Sequence, residues 1–266
     1  DRMKIIVIGP FPPPINGFTL ANQMLVDGLE KNHTVCVINT QSKRAQNIGN
    51  LSEQGKLSIL KGFDSLFRLL IDFFRSVFIS EVDVVYMTPG SSIAGYLRYV
   101  PFMWLARIKK VPYFVHIHGS YFRVMYDSLK GWKKRISDRN LKRLSRAIVL
   151  GPSLRCIFEG LVPDEKIFVC ENGVEDEICA TEEEISRKIE LYKVDNTIRV
   201  VYLSNLMEAK GILDLFEAVR IIRNRGERIH LDVAGAIEPA IEDRVRAYVK
   251  ELGESVTYHG VVEGLV

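Results

Sequence analysis

The sequence predicts an α/β protein built from two successive doubly wound units, each with a parallel sheet. Three observations carry this prediction. Strand and helix patterns alternate along all 266 residues, and the first strand is a continuous apolar run ending in glycine. Such runs are typical of strands that are buried on both faces of a parallel sheet. Apolar residues make up 47% of the chain and charged residues 26%, which is enough to bury a core.

The first unit is predicted over residues 1–175. Its opening strand, residues 4–9, is followed by a proline-rich stretch that cannot form a helix or a central strand. The next helix has Leu20, Met24, Leu25 and Leu29 on one face. Further strands are predicted at residues 34–39, 57–60, 82–87, 113–117, 147–150 and 167–170. Helices are predicted at residues 19–31, 63–79, 91–109 with a bend near Pro101, and from about residue 153.

The second unit is predicted over residues 176–266, after a charged connecting helix at residues 182–192. Its strands are predicted at residues 199–203, 230–234 and 255–259, and its helices at residues 211–225 and 239–252. Because only three strands are predicted and no closing helix follows them, sheet edges would stay uncovered. We therefore expect this unit to be incomplete, with the missing part beyond Val266.

The two units differ in charge. Residues 1–176 hold 24 Lys and Arg against 16 Asp and Glu, a net +8, and residues 177–266 hold 12 against 17, a net −5. This favours an anionic surface or ligand for the first unit, with chance variation as the alternative. The low total charge of +3 argues against nucleic acid. Four cysteines without a Cys-x-x-Cys pair, and no predicted signal peptide or spanning segment, suggest a cytoplasmic protein.

Parallel sheets bind ligands beyond the carboxyl ends of their strands, so the loops there supply the candidate residues. Asn16 and Gly17 end the first such loop and lead into a helix N-terminus, where a backbone N–H can meet an anion. Lys210 lies directly before another predicted helix, where a cation suits a departing diphosphate. The alternatives are an ordinary Asn-Gly turn and a solvated lysine.

His116 and His118 end the predicted strand at residues 113–117 and share one of its faces. With Asp127 nearby they suggest a metal, but no third ligand stands at the spacing of a metal site. We therefore predict no metal. One histidine is expected to be buried and hydrogen-bonded, and the other to donate a hydrogen bond to substrate.

Four segments together resemble the group-one GT-B glycosyltransferases, which are family 4-like retaining enzymes. They are Gly9–Gly17, His118-Gly119, the Glu-Asn-Gly-Val run at residues 171–174, and the Glu-Ala-Lys-Gly run at residues 208–211. They occur in the family's order over nearly the whole chain. The resemblance implies a GT-B-like fold, in which two Rossmann-like units face a cleft. The first unit would bind the acceptor and the second the nucleotide sugar.

The resemblance also implies roles for single residues. Gly17 corresponds to a loop glycine near the donor phosphate, with Asn16 beside it. His118 corresponds to a histidine that contacts the donor sugar, and Lys210 to the lysine that binds the diphosphate. Gly235 corresponds to a glycine near the nucleotide, where Ser204 and Asn205 also belong.

The implied activity is transfer of a sugar, with retention, from a UDP- or GDP-sugar to a glycan or lipid-linked acceptor, without metal or other cofactor. Two features depart from the family: Asn205 stands where an arginine is usual, and the paired glutamates of the family would lie beyond Val266. A nucleotide-sugar 2-epimerase-like enzyme and a non-catalytic nucleotide-sugar-binding module are the alternatives.

A basic segment in the first unit suggests a contact with anionic lipid at the inner face of the membrane, which suits a lipid-linked acceptor. The candidate patch consists of Lys133, Lys134, Arg135 and Arg139. Aromatic residues lie just before or within it: Tyr121, Phe122, Tyr126 and Trp132. The alternative is a solvated helix face.

Overall fold

The computed structural model describes residues 2–13, 15–41, 67, 70–74, 81–173 and 179–262. The chain divides into two compact units, residues 1–173 and 174–266. Both are mixed α/β with parallel strands, so the predicted fold class is confirmed.

The first unit contains a parallel sheet whose strands pair in the order β2-β1-β3-β4-β5-β6 across its described residues. The strands are β1 (Lys4–Gly9), β2 (Thr34–Asn39), β3 (Val84–Met87), β4 (Tyr113–Ile117), β5 (Arg146–Val149) and β6 (Ile167–Val169). Residues 5–9 of β1 and all of β3 are buried, which confirms the prediction made from the continuous apolar run. The strand order reverses between β1 and β3, and in such sheets this reversal marks the ligand-binding edge.

Helices cover both faces of this sheet. They are α1 (Gly17–Glu30), α2 (Ile93–Leu97), α3 (Val100–Ile108), α4 (Phe122–Ser128) and α5 (Gly131–Lys142), with 3-10 helices at Pro152–Phe158 and Asp164–Lys166. Alternate residues of β1 enter different clusters: Ile5 and Val7 pack with Val26 of α1, while Ile6 and Ile8 pack in the larger core with Phe102 of α3.

Four predictions for this unit need correction or lie outside the described residues. The single helix predicted at residues 91–109 is wrong: α2 and α3 are separate, and Pro101 is the second residue of α3, where its missing N–H breaks no intrahelical bond. The helix predicted from about residue 153 is a 3-10 helix. The strand predicted at residues 57–60 and most of the helix predicted at residues 63–79 lie outside the described residues. Within that predicted helix, residues 70–74 are described and are helical.

The second unit has three parallel strands among its described residues, in the order β7-β8-β9. They are β7 (Ile198–Leu203), β8 (Ile229–Ala234) and β9 (Val256–Tyr258), accompanied by α6 (Glu182–Asp195), α7 (Ile212–Asn224) and α8 (Glu242–Leu252). Short 3-10 helices lie at Glu208–Lys210, Pro239–Ile241 and Gly253–Ser255. Phe216 of α7 and Val245 of α8 pack with Leu231 and Val233 of β8 in the core of this unit.

Helix α6 has no buried residue. Its N-terminus carries a capping box, in which Thr181 and Glu184 each accept a hydrogen bond from the other's backbone N–H. Asn196 ends the helix in the left-handed conformation with φ 51°. Local signals in the sequence therefore define both ends of this helix.

Gly9 ends β1 at the point where the strand order reverses, and it lies under two buried side chains. A Cβ at this position would be 2.2 Å from Thr88 Oγ1 and 2.8 Å from Asn22 Nδ2. These two side chains are hydrogen-bonded to each other at 3.0 Å, and Asn22 also donates to the Pro10 carbonyl at 2.8 Å. The absence of a side chain at residue 9 thus allows α1 and the end of β3 to meet over β1.

We expect Gly9→Ala to destabilise the protein by about 1–3 kcal/mol, because the added methyl group overpacks a buried, hydrogen-bonded site. The matched control is Gly28→Ala in α1, where a Cβ would meet nothing within 4 Å. Since alanine favours helix over glycine, the control should stabilise by roughly 0.5–1 kcal/mol. Urea unfolding followed by circular dichroism measures both variants. Equal unfolding free energies for the two would contradict the packing described here.

Candidate active site

In the first unit, the loops that follow β1, β3 and β4 lie side by side because these strands are neighbours in a parallel sheet. The β3 and β4 loops touch: a Cβ at Gly119 would be 3.6 Å from Ser91 Oγ. The β4 loop also reaches the start of α1, since the ring centroids of His118 and Phe18 are 4.9 Å apart. His118 and Gly17, two of the predicted site residues, are therefore brought to the same edge of the sheet.

Asn16 caps helix α1. Its side-chain oxygen accepts hydrogen bonds from the backbone N–H groups of Phe18 and Thr19, both at 3.1 Å, and its own N–H donates to Thr19 Oγ1. Because these bonds occupy the Asn16 oxygen, its role in this structure is to fix the start of the helix. Gly17 is exposed, and its N–H has no hydrogen-bond partner among the described residues.

His116 is the buried histidine of the pair. Its Nδ1 is hydrogen-bonded to the Tyr86 hydroxyl at 2.7 Å, and its Nε2 is buried without a partner among the described residues. The His118 ring lies against it, with centroids 4.0 Å apart. Both ring nitrogens of His118 are likewise buried and unpartnered within the described part of the chain. A buried donor without a partner costs free energy, which a hydrogen bond to this ring would offset.

Burial removes the positive charge from both rings. It lowers the pKa of His118 to about 4 from its ordinary 6.5. Burial, together with the nearby His118, lowers the pKa of His116 to about 3. At neutral pH each imidazole is therefore uncharged, with one donor and one acceptor nitrogen.

In the second unit, four predicted site residues come together where β7 and β8 end. Lys210 Nζ donates to Ser204 Oγ at 2.7 Å. A Cβ at Gly235 would be 2.0 Å from the Ser204 carbonyl oxygen and 3.0 Å from the Asn205 nitrogen. Gly235 also has a φ of +144°, a backbone angle that residues with a side chain rarely adopt. Only glycine lets the backbones of these two loops cross so closely.

Lys210 is an exposed cation without an acidic partner among the described residues. Several arginines of this unit do have such partners: Arg220 pairs with Glu217 at 2.6 Å, and Arg246 with Glu242 at 2.6 Å. Arg244 pairs with Glu208, which lies in the same short turn as Lys210. The charge of Lys210 is thus not neutralised by an acidic side chain among the described residues. It lies two residues before α7, whose N-terminus also favours an anion.

The four residues of the predicted basic patch differ in their surroundings. Lys134 Nζ lies 3.3 Å from the Tyr126 ring centroid, and Lys133 Nζ lies 5.9 Å from that of Trp132. Arg135 and Arg139 are exposed, whereas Lys133 and Lys134 are half-buried. Two of the four aromatic residues assigned to the patch, Phe122 and Tyr126, are buried. Helical periodicity separates these neighbours in sequence, and their assignment to one lipid-contacting patch stays a prediction.

Sequence reasoning missed Tyr86, Asn22 and Phe18, which support the site. Tyr86 lies within β3, and the sequence gives no sign of its role. Its contact with His116 is visible only in the folded chain. Asn22 does give a signal in the sequence, because it is a polar residue on the inner face of α1.

Asp127, which the sequence placed near the two histidines, pairs with Arg123 at 2.9 Å. No cluster of His, Cys, Asp or Glu among the described residues is arranged to hold a metal ion.

None of the helices within the described residues has the length and apolar character needed to cross a membrane.

Neither a protein-family model nor a curated protein matches the sequence. By structure, the chain is similar to HepE from Anabaena in complex with UDP-glucose, with 16% identity and a TM-score of 0.61 over 98% of this chain and 70% of that chain. The catalytic domain of starch synthase IV from Arabidopsis thaliana, bound to ADP and acarbose, is 10% identical with a TM-score of 0.64, over 100% and 75% of the two chains.

A third similar structure is the UDP-N-acetylglucosamine 2-epimerase from Rickettsia bellii, with 11% identity and a TM-score of 0.50, over 97% of this chain and 68% of that chain. Similarity at these identities establishes the fold. The chain has a Rossmann-like GT-B fold, as the sequence predicted.

We expect the first unit to lose stability as the pH falls from about 6.5 towards 4. In that window the unfolded chain protonates both histidines and the folded chain does not, so protons favour unfolding. Urea midpoints measured across the window should therefore fall. Carboxylates contribute as well, so the comparison is with a His116→Gln, His118→Gln double variant, whose midpoints should fall less steeply. Identical slopes would show that the histidines are not desolvated as described.

Proposed function

We propose that this protein is a glycosyltransferase that moves a sugar from a nucleotide-diphosphate sugar to a glycan or lipid-linked acceptor, with retention. One observation carries the proposal. Lys210 presents an exposed ammonium group without a carboxylate partner among the described residues, held by Ser204 at the carboxyl edge of a parallel sheet. In the GT-B glycosyltransferases that the sequence resembles, a lysine in this place binds the donor diphosphate.

The cation would act on the leaving group. As the bond between the anomeric carbon and the diphosphate oxygen breaks, negative charge grows on the diphosphate, and a preorganised cation beside it lowers the barrier. Lys210 would thus fill the role that a metal ion fills in other enzymes, so we propose a reaction without a metal or organic cofactor. Asn205 and Ser204 can add hydrogen bonds but no charge, and neutral bonds are about half as strong as charge-assisted ones.

In the first unit, the Gly17 N–H and His118 would contact the donor. The unpartnered amide of Gly17 at the N-terminus of α1 suits a phosphate oxygen. The uncharged His118 ring, with both nitrogens unpartnered in the described structure, suits a sugar hydroxyl. It can donate one hydrogen bond and accept another without opposing the positive charge that develops on the sugar.

The acceptor hydroxyl would attack the anomeric carbon on the face from which the diphosphate departs, so that the configuration is retained without a covalent intermediate. Its oxygen forms the new glycosidic bond, and its proton passes to the departing diphosphate. No carboxylate is hydrogen-bonded to the His118 ring in the described part of the chain, and we propose a reaction without a covalent nucleophile. Alignment of the two substrates would therefore supply much of the rate. HepE, which shares the fold, binds UDP and UDP-glucose, so a UDP-sugar is the first donor to test and a GDP-sugar the second.

We expect one nucleotide among UDP, GDP and ADP to stabilise the protein, and Lys210→Ala to lose most of that effect. At about 100 times its dissociation constant the ligand should add about 2.7 kcal/mol to the unfolding free energy, which a thermal-shift assay detects. The matched control is Lys250→Ala, another exposed lysine of the second unit, located in α8. Equal stabilisation of wild type and Lys210→Ala would remove Lys210 from the donor site.

We expect His118→Ala to lower the rate of sugar transfer about 100-fold, the scale of a loss of substrate positioning, while nucleotide binding stays close to wild type. Transfer is followed as nucleotide released together with sugar on the acceptor. His33→Ala is the control, because His33 precedes β2 at the opposite edge of the same sheet. An unchanged transfer rate in His118→Ala would contradict the assignment of His118 to the sugar site.

The same assays separate the two alternatives. An epimerase would change the sugar without transferring it, and its fold similarity is weaker than that of the glycosyltransferases, with a TM-score of 0.50 against 0.64. A non-catalytic module would bind the donor through Lys210 and release nothing. The latter is favoured by Asn205, which leaves the site one cation short of the family pattern.

A further inference from the structure

Helix α5 of the first unit carries a concentration of positive charge that the proposed reaction does not use. Between residues 130 and 146 there are eight basic residues and one acidic residue, Asp138. Asp138 is half-buried and accepts a hydrogen bond from the Tyr126 hydroxyl. None of the eight basic side chains forms an ion pair within the described residues. The charge on this helix is therefore uncompensated.

The inner face of α5 is fixed to its neighbours. Asn140 is buried, and its side-chain oxygen accepts a hydrogen bond from Arg107 of α3 at 3.0 Å, while its carbonyl accepts one from Tyr113 at 2.6 Å. Ser137 and Leu141 are buried on the same face. Because these contacts set the rotation of the helix, the opposite face is presented to solvent in one orientation.

That outer face combines charge with large aromatic groups. Its exposed basic side chains are Lys130, Arg135, Arg139, Lys142 and Arg143. Trp132, in the first turn of α5, is 64% exposed. On α3, which packs beside α5, Trp104 is 55% exposed and Ile108 is 53% exposed. We define these eight residues as the α3–α5 surface. Two exposed tryptophans among unpaired arginines are unusual on a surface that meets only water.

We propose that the α3–α5 surface docks on an anionic phospholipid bilayer. Tryptophan is the side chain most suited to the interface between headgroups and hydrocarbon, because its ring is apolar and its N–H is polar. Arginine and lysine beside it attract acidic lipid headgroups, and their aliphatic stems can lie along the apolar region. The two tryptophans supply the insertion and the basic residues supply the attraction. This docking is independent of the transfer reaction, since it involves neither Lys210 nor His118.

Trp104 and Trp132 are the only two tryptophans of the chain, so intrinsic tryptophan fluorescence reports directly on this surface. The experiment uses the whole chain with vesicles of phosphatidylcholine alone or of equimolar phosphatidylcholine and phosphatidylglycerol. With the anionic vesicles we expect co-sedimentation, a blue shift of the tryptophan emission, and weakening of both by salt. With phosphatidylcholine alone we expect neither.

The Arg135→Glu, Arg139→Glu double variant should bind anionic vesicles at least about tenfold more weakly, because two attractive charges become repulsive. Arg187→Glu, Lys188→Glu on the exposed helix α6 is the matched control and should bind like wild type. Since Arg135 and Arg139 are exposed, the variants should fold, and Arg135→Gln, Arg139→Gln provides a milder pair. The Trp104→Phe and Trp132→Phe variants show which ring gives the shift.

Equal vesicle binding by the Arg135→Glu, Arg139→Glu variant and the α6 control would overturn the proposal. So would wild-type binding without any change in tryptophan emission, accompanied by equally tight binding to duplex DNA. That result would identify the surface as a general polyanion contact. Neither outcome depends on nucleotide binding or on transfer, so failure here leaves the proposed function to its own tests.

Discussion

The arrangement of this protein depends on parallel strand pairing, which places the carboxyl ends of all strands of a sheet at one edge. The constraint is sharpest where backbones meet without side chains between them. At Gly9 the end of β1 lies under Thr88 and Asn22, and at Gly235 the end of β8 lies against the Ser204 carbonyl. These two close approaches bring together segments that are distant in sequence, at the carboxyl edge of the sheet in each unit. Lys210 is held by Ser204, whose carbonyl meets Gly235, while His118 is held between His116 and Phe18.

Much of the fold could be predicted because the signals are local. The ends of β2 and β4 agree with the prediction from apolar runs alone, and most other elements agree to within a few residues. The break between α2 and α3 was not predicted, since the apolar pattern continues across Arg98 and Tyr99 and Pro101 suggested only a bend. The 3-10 geometry at Pro152–Phe158 was also missed, because its residues fit an α-helix equally well.

The site could be predicted only in part. Glycines, histidines and a lysine next to strand ends gave candidates, and the folded chain brings Ser204, Asn205, Lys210 and Gly235 together. The protonation state of the site histidines could not be predicted from the sequence. The ring nitrogens of His118 lack partners among the described residues, and its low pKa follows from burial, which only the folded chain produces. The surroundings of the basic residues could not be predicted for a related reason, because neighbours in sequence lie at different angles around a helix. Helical rotation sends Lys134 onto Tyr126 and leaves Arg135 and Arg139 outside.

Helix α6 differs from the other long helices described in this chain, because none of its residues is buried and its visible support comes from local interactions. With no buried residue, it depends on the Thr181 and Glu184 capping box, the acidic residues of its first turn and the Lys193–Glu190 pair. Interactions of this kind act between residues a few positions apart and persist when tertiary contacts are lost. Part of this helix should therefore survive in the denatured ensemble. The reference state for the stability of the second unit then already contains a turn or two of helix.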